Sequence, residues 1–162
     1  MSDQLPKQIA KHIRDVHTGG NWTVSNLKDQ LQGITWQQAT TKLPSFNTIL
    51  ALVYHSHYFV HAILNVLHGK ELDAHDKFSF DHPAVQSQDD WNNFLEKVFK
   101  EAEEFAALVE ELPESKMWEN FTDEKYGNWY RNLSGVIEHT HYHLGQIALI
   151  RKLVLDKTNG SV

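Results

Sequence analysis

The chain has 162 residues, enough for one domain with a conventional apolar core, so residues 1–162 are read as a single domain. It contains no cysteine, which excludes disulfide staples, thiolate metal sites and cysteine nucleophiles. The formal net charge of -6 has the wrong sign for gripping a phosphate backbone, so no nucleic-acid partner is expected. The first twenty residues carry charge throughout and show no apolar signal region, and no uninterrupted apolar run reaches the roughly 18 residues of a membrane span. A soluble, cytoplasmic protein without a membrane partner is expected. Histidine is abundant, at 11 residues, and concentrates in His55–His61 and His139–His143.

Four long helical patterns follow one another, and no strand pattern does. The first runs from about Asp3, with Leu5, Ile9, Ile13 and Val16 at helical spacing, and ends at Gly19-Gly20. A short helix with Thr23 as its N-cap carries Leu27 and Leu31. Thr35 to Gln38 then reads as a capping box, and Leu43-Pro44 closes that segment. The second long helix covers about Ser45 to His68, stopped by Gly69. Being apolar over most of its circumference, it reads as a central, buried element. A polar connection of about 70–86 leads to a third helix starting at Ser87, with Asp89 and Asp90 complementing its dipole and Pro113 beyond its end. Trp91, Phe94, Leu95, Val98, Ala102, Phe105, Val109 and Leu112 form its apolar face. Glu96, Lys97, Lys100, Glu101, Glu103 and Glu104 read as a solvated one. The fourth helix begins between Asn128 and Asn132 and continues to about Leu155, before a polar tail. This pattern predicts an all-α fold, a four-helix bundle, with a middle connection long enough for a crossover.

At about 100° per residue, His55 sits among Ala51, Leu52, Phe59, Ala62 and Val66, in the middle of an apolar face. His57 and His61 fall on a stripe with Asn65 and His68, which reads as the wet edge of that helix. On the fourth helix His139 and His143 project together, beside Asn132, Gly135, Val136, Gln146 and Ile150, while His141 falls near the opposite side with Glu138. An HxxxH spacing alone carries little weight in so histidine-rich a chain. Two neighbouring inward histidines plus a third on another inward face carry more, because unpartnered buried imidazoles cost a few kcal/mol each. One divalent transition metal (zinc, nickel or iron), held by His55, His139 and His143, would use all three and leave a coordination position open. The competing reading is three rings satisfied by ordinary core hydrogen bonds. Gln146, one turn beyond His143, either orients a ligand ring or caps a polar end of the bundle.

The segment His139-Thr-His-Tyr-His143-Leu-Gly-Gln146-Ile147 resembles the HxxxHxGQ signature of the DinB/YfiT-like family of bacterial metal-binding bundles. Ile49 followed six residues later by His55 is similar to that family's first-ligand helix. The resemblance covers nearly the whole chain. It implies an up-down-down-up bundle with long crossover connections and a divalent metal on His55, His139 and His143. It also implies a homodimer, since relatives are often dimeric, and an activity among thiol-dependent S-transferases or metal-dependent hydrolases.

A metal there would generate a nucleophile from water or from a low-molecular-weight thiol, for attack on a small-molecule substrate. A hydrolase also needs a general base, and neither metal-bearing helix presents an inward carboxylate. Asp73, Asp76, Asp81 and Glu119 in the connections are the candidates. A thiol ionised directly by the metal needs no base, which tilts the reading toward thiol transfer. A non-catalytic metal- or ligand-binding module is the third reading. A carboxylate-bridged di-iron site is disfavoured, because Glu138/His141 is the sole ExxH element on a long helix and it faces outward.

Overall fold

The structure is a computed structural model and describes residues 4–158. Asp3, expected near the start of the first helix, and the tail beyond Thr158 lie outside the described residues. These form an all-α architecture of six helices: α1 (Gln4–Thr18), α2 (Leu27–Leu31), α3 (Trp36–Thr40), α4 (Ile49–Leu67), α5 (Gln88–Glu110) and α6 (Trp129–Thr158). Three short 3-10 turns, at Asp76–Phe78, Glu114–Trp118 and Glu124–Tyr126, sit in the connections. Among the described residues no strand forms, and Asn120 and Asn128 make one isolated bridge.

The helix boundaries follow from side chains that satisfy the free amides of a first turn. Thr35 and Gln38 make the expected capping box of α3, and the Ser87 hydroxyl caps α5 by accepting from the Asp90 amide. Two starts differ from expectation. Asn26, not Thr23, caps α2, its side chain accepting from the Asp29 amide. Likewise α4 begins at Ile49 rather than Ser45. Thr48 accepts from the Ala51 amide there, while Ser45 has a left-handed φ of 66° that no helix tolerates. The turn after α1 uses glycine for a physical reason, since Gly20 has φ +98° and a Cβ there would lie 3.1 Å from Asp15 Oδ1.

Each of α1 and α4 packs against both α5 and α6. The core divides into two apolar clusters. One gathers Val16, Ile49, Leu50, Val53, Trp91, Val98, Leu144, Ile147 and Val154, and the other Ile9, Ile13, Val60, Ile63, Phe105, Val109, Leu133 and Val136. Trp91 is fully buried and its indole N–H donates to the Ile34 carbonyl at 3.0 Å, tying α5 to the α2–α3 connection. Trp129, the first residue of α6, is buried, whereas Trp22 in the α1–α2 connection is 97% exposed. Although polar residues interrupt it, α4 has the length and mean hydropathy (1.3) of a membrane span, with 61% of that window buried inside the protein. Its apolar residues serve a core that surrounds it on more than one side.

The same enclosure overturns the reading of the α4 polar stripe as a wet edge. His57 is buried, and its Nε2–H donates to Glu101 Oε2 at 2.8 Å. His61 Nδ1 lies 2.8 Å from that same oxygen, and His68 Nε2 lies 3.0 Å from Glu104 Oε1. The stripe therefore faces α5, and part of the α5 charge run faces it in return, leaving the Glu101 side chain only 17% exposed. Burial alone would raise the Glu101 carboxyl, but hydrogen bonds from His57 and His61 outweigh it and hold the group at about 2. Glu103 and Glu110 pair with Arg14 of α1 at 3.0 and 2.7 Å. His141 is half-buried rather than outward in solvent.

At the end of α1, His17 is buried and its Nδ1–H donates to the Ile13 carbonyl at 2.7 Å. Burial pushes its pKa down to about 4, against that hydrogen bond. The unfolded chain binds a proton there from about pH 6.5 downward while the folded chain stays neutral, so this site stabilises fully above pH 6.5 and loses its contribution as pH falls toward 4. Denaturant titrations between pH 7 and 4 are expected to lose on the order of 3 kcal/mol to this group. His17→Gln should flatten that part of the slope, and an unchanged slope would contradict the assignment.

Candidate metal centre

His55 comes from α4, and His139 and His143 stand one turn apart on α6. The helices bring the three rings together. His139 Nε2 lies 3.1 Å from His55 Nε2 and 3.0 Å from His143 Nε2. The three form a cluster able to hold one ion, with His55 and His143 buried and His139 half-buried.

Two outer hydrogen bonds decide what those nitrogens present to one another. His55 Nδ1 lies 2.8 Å from Ser79 Oγ, whose hydrogen is directed to the Asp76 backbone carbonyl at 2.7 Å and to Asp76 Oδ1 at 3.3 Å. The serine oxygen therefore accepts from His55 Nδ1–H. His143 Nδ1 lies 2.9 Å from Gln146 Oε1, and a carbonyl oxygen only accepts, so this nitrogen also carries its hydrogen. Both rings are thus fixed in the tautomer that leaves Nε2 bare. His139 Nε2 touches both bare nitrogens and has at most one hydrogen to offer. With all three rings neutral, that hydrogen cannot make a linear bond to both, so at least one bare Nε2 is left without a full donor. A cation between the nitrogens would satisfy all of them. Nitrogens at bond lengths of about 2.0–2.1 Å around a tetrahedral ion lie roughly 3.3 Å apart, within a few tenths of an ångström of the two contacts that His139 makes. The residues present fit a divalent metal.

The electrostatics agree with that donor set. Burial, then the neighbouring His143 and His55, push His139 down to about 4. Burial also lowers His55 and His143, the latter against its bond to Gln146. Rings held neutral keep their lone pairs for a metal. His139 Nδ1 is buried with no hydrogen-bond partner, and Phe59 packs edge-on against that ring at 5.0 Å. Phe80 stacks on His55 with centroids 4.0 Å apart and Tyr142 meets His143 edge-on at 4.9 Å.

All three expected ligands are brought together, and Gln146 reaches the ring it was expected to orient. Ser79 and Phe80 escaped the sequence reading, and Asp76 was one of four carboxylates it left unplaced. They belong to the 70–86 connection, which folds back over the centre through the turn Asp76–Phe78 and buries Ser79 completely. Nothing periodic marks them, and a serine 24 residues from its histidine partner leaves no local signal. Of the four carboxylates held open, Asp76 is the one at the site. It acts electrostatically on both His55 and His139, and it lines a cavity of about 550 Å³ together with His139.

Ser79→Ala and Gln146→Leu each remove an outer hydrogen bond without touching a donor nitrogen. Zinc affinity measured by competition with a chromophoric chelator is expected to fall about 10–100-fold in either variant at unchanged helix content. His68→Ala, on the surface facing Glu104, should leave it unaltered. Equal affinity in all four proteins would mean that the tautomers are not fixed in this way.

Comparison of the chain with protein-family models, with curated proteins and with solved structures gives no match, so geometry and chemistry carry the functional reading.

Proposed function

We propose that this chain is a divalent-metal-binding enzyme of the DinB/YfiT-like kind, which activates a thiol or a water at His55, His139 and His143 for attack on a small molecule. The observation that supports the reading is the pair of bare Nε2 lone pairs aimed at a third imidazole nitrogen, an arrangement suited to a cation. An up-down-down-up bundle is part of the same proposal. It is supported by the order in which residues enter the two core clusters: α1 and α6 run from the Ile9/Leu133 cluster toward the Val16/Val154 cluster, and α4 and α5 run the other way.

A bound divalent ion supplies Lewis acidity that favours the ionised form of a thiol or water. The chain's own residues do the rest. Ser79 and Gln146 hold two donor rings in register, Phe59 and Phe80 keep one side of the centre apolar, and the cavity admits a ligand up to His139. Asp76 changes the balance between the two nucleophiles. The preference for a thiol rested on the lack of a base, and a carboxylate lining the same cavity as His139 supplies one to receive a proton. Hydrolysis is therefore the second reading, favoured by Asp76 in particular.

Elemental analysis of untagged protein purified without a nickel column is expected to give near one metal per chain, lost in His55→Ala and His143→Ala and kept in His68→Ala. The loaded protein is expected to accelerate addition of low-molecular-weight thiols to epoxide or quinone acceptors, or cleavage of activated esters and amides. Asp76→Asn should spare metal content and reduce ester or amide cleavage 10²–10⁴-fold, the usual worth of a positioned base. Metal-free wild-type protein, or metal retained by His143→Ala, would sink the proposal.

A further inference from the structure

The cavity beside His139 has an uneven lining. Phe59, Ala62, Ile63, Leu72, Phe121 and Val136 make its wall apolar. Its charged groups separate, with Asp76 next to the histidine cluster and two cations, Lys125 and Arg131, from the end of the last connection and the start of α6. Arg131 lies back along its own helix. A Cβ on Gly135 would come within 3.2 Å of Arg131 Nη1, so the guanidinium rests beside residue 135, one helical turn short of His139. That is an axial separation of about 6 Å. Glycine at 135 leaves the room, and both Gly135 and Arg131 line the cavity.

Neither cation is consumed by its protein partner. Arg131 Nη1 meets Glu138 Oε2 at 3.3 Å and Lys125 Nζ meets Asp123 Oδ2 at 3.5 Å, both in pairs that are more than half exposed. Such pairs hold little free energy and yield to a better acceptor, and one bond through Nη1 leaves most of the guanidinium fork free. Asn132 directs its amide N–H groups to the Tyr126 and Asn128 carbonyls, which pins the connection that carries Lys125 against the helix that carries Arg131.

We infer that this cavity selects a small molecule with a short apolar body and a carboxylate at one end, the carboxylate held by Arg131 and Lys125 and the other end delivered to the histidine cluster. The inference rests on the proposed function for the role of that second end, but the binding of the carboxylate does not need a metal. Charge separation sets the direction. A carboxylate at the inner end would meet Asp76, whereas one at the outer end meets a bidentate fork and a second cation. The axial spacing of about 6 Å suits a linear chain of five or six carbons.

The test uses hexanoate and 1-hexanol as probes, titrated calorimetrically into the full chain, both metal-free and zinc-loaded. Hexanoate is expected to bind either form at least about tenfold more tightly than 1-hexanol, as charge-assisted hydrogen bonds require. Arg131→Gln should remove about that factor for hexanoate and leave 1-hexanol unchanged, with Lys125→Gln smaller in the same direction. Equal affinity for the two probes, absent binding, or hexanoate affinity unchanged in Arg131→Gln would overturn the inference. So would hexanoate binding that appears only with zinc and survives Arg131→Gln, because the carboxylate would then sit on the ion. Should zinc fail to bind while Arg131-dependent hexanoate binding persists, the metal reading falls and the cavity assignment stands.

Discussion

Everything at the centre of this protein depends on two hydrogen bonds that point away from it. Ser79 and Gln146 take the Nδ1 hydrogens of His55 and His143, and by doing so they turn two bare Nε2 atoms inward. Had either partner been a donor, the ring would have presented N–H instead, and the cluster would read as an ordinary chain of core hydrogen bonds. The frustration is electronic. His139 Nε2 stands about as far from each of its two neighbours as ligands of a tetrahedral ion do, and one hydrogen does not make a linear bond to both. Burial strengthens the effect, since it lowers the pKa of the rings and keeps them neutral.

The two faces of α4 show how context divides one residue type into two roles. His55 faces α6 and the connection 70–86, where it meets other imidazoles and a serine oxygen. His57 and His61 face α5, where Glu101 accepts from both and is held ionised at about 2. The bare Nε2 atoms of the first set lack donors, whereas Glu101 accepts from one ring nitrogen of each histidine in the second. The difference lies in which helix each face meets. That is why the α5-facing pair reads as a structural tie and the α6-facing cluster as a place for an ion.

The 70–86 connection joins fold to chemistry. Read alone it is a polar linker. In the structure it places Phe80 flat on His55, Ser79 behind that ring, and Asp76 in the cavity that His139 shares. A segment of this length between α4 and α5 gives those helices the freedom not to be a tight hairpin, and the same slack lets it fold back across the centre. The orientation of the His55 ring, a carboxylate and part of the cavity lining thus come from one connecting stretch.

Much of this was legible from residues alone, because helical periodicity is a local property. The four long helices, the Thr35/Gln38 capping box and the inward direction of His55, His139 and His143 follow from spacing at about 100° per residue. A helical wheel ranks the faces of one helix but does not say what lies opposite each. For that reason His57 on the polar stripe of α4 read as solvent-facing when α5 covers it, and the α5 charges read as a free surface when Glu101 is enclosed. The start of α4 shifted for a similar reason: Thr48 and Ser45 are both capping residues, and the left-handed backbone at Ser45 decides between them. What the sequence determined is which side chains share a helix face. Only the tertiary structure decided which faces meet, that Ser79 and Asp76 arrive from far along the chain, and hence which nitrogens are left without a hydrogen, because those contacts depend on chain segments whose separation leaves no periodic trace.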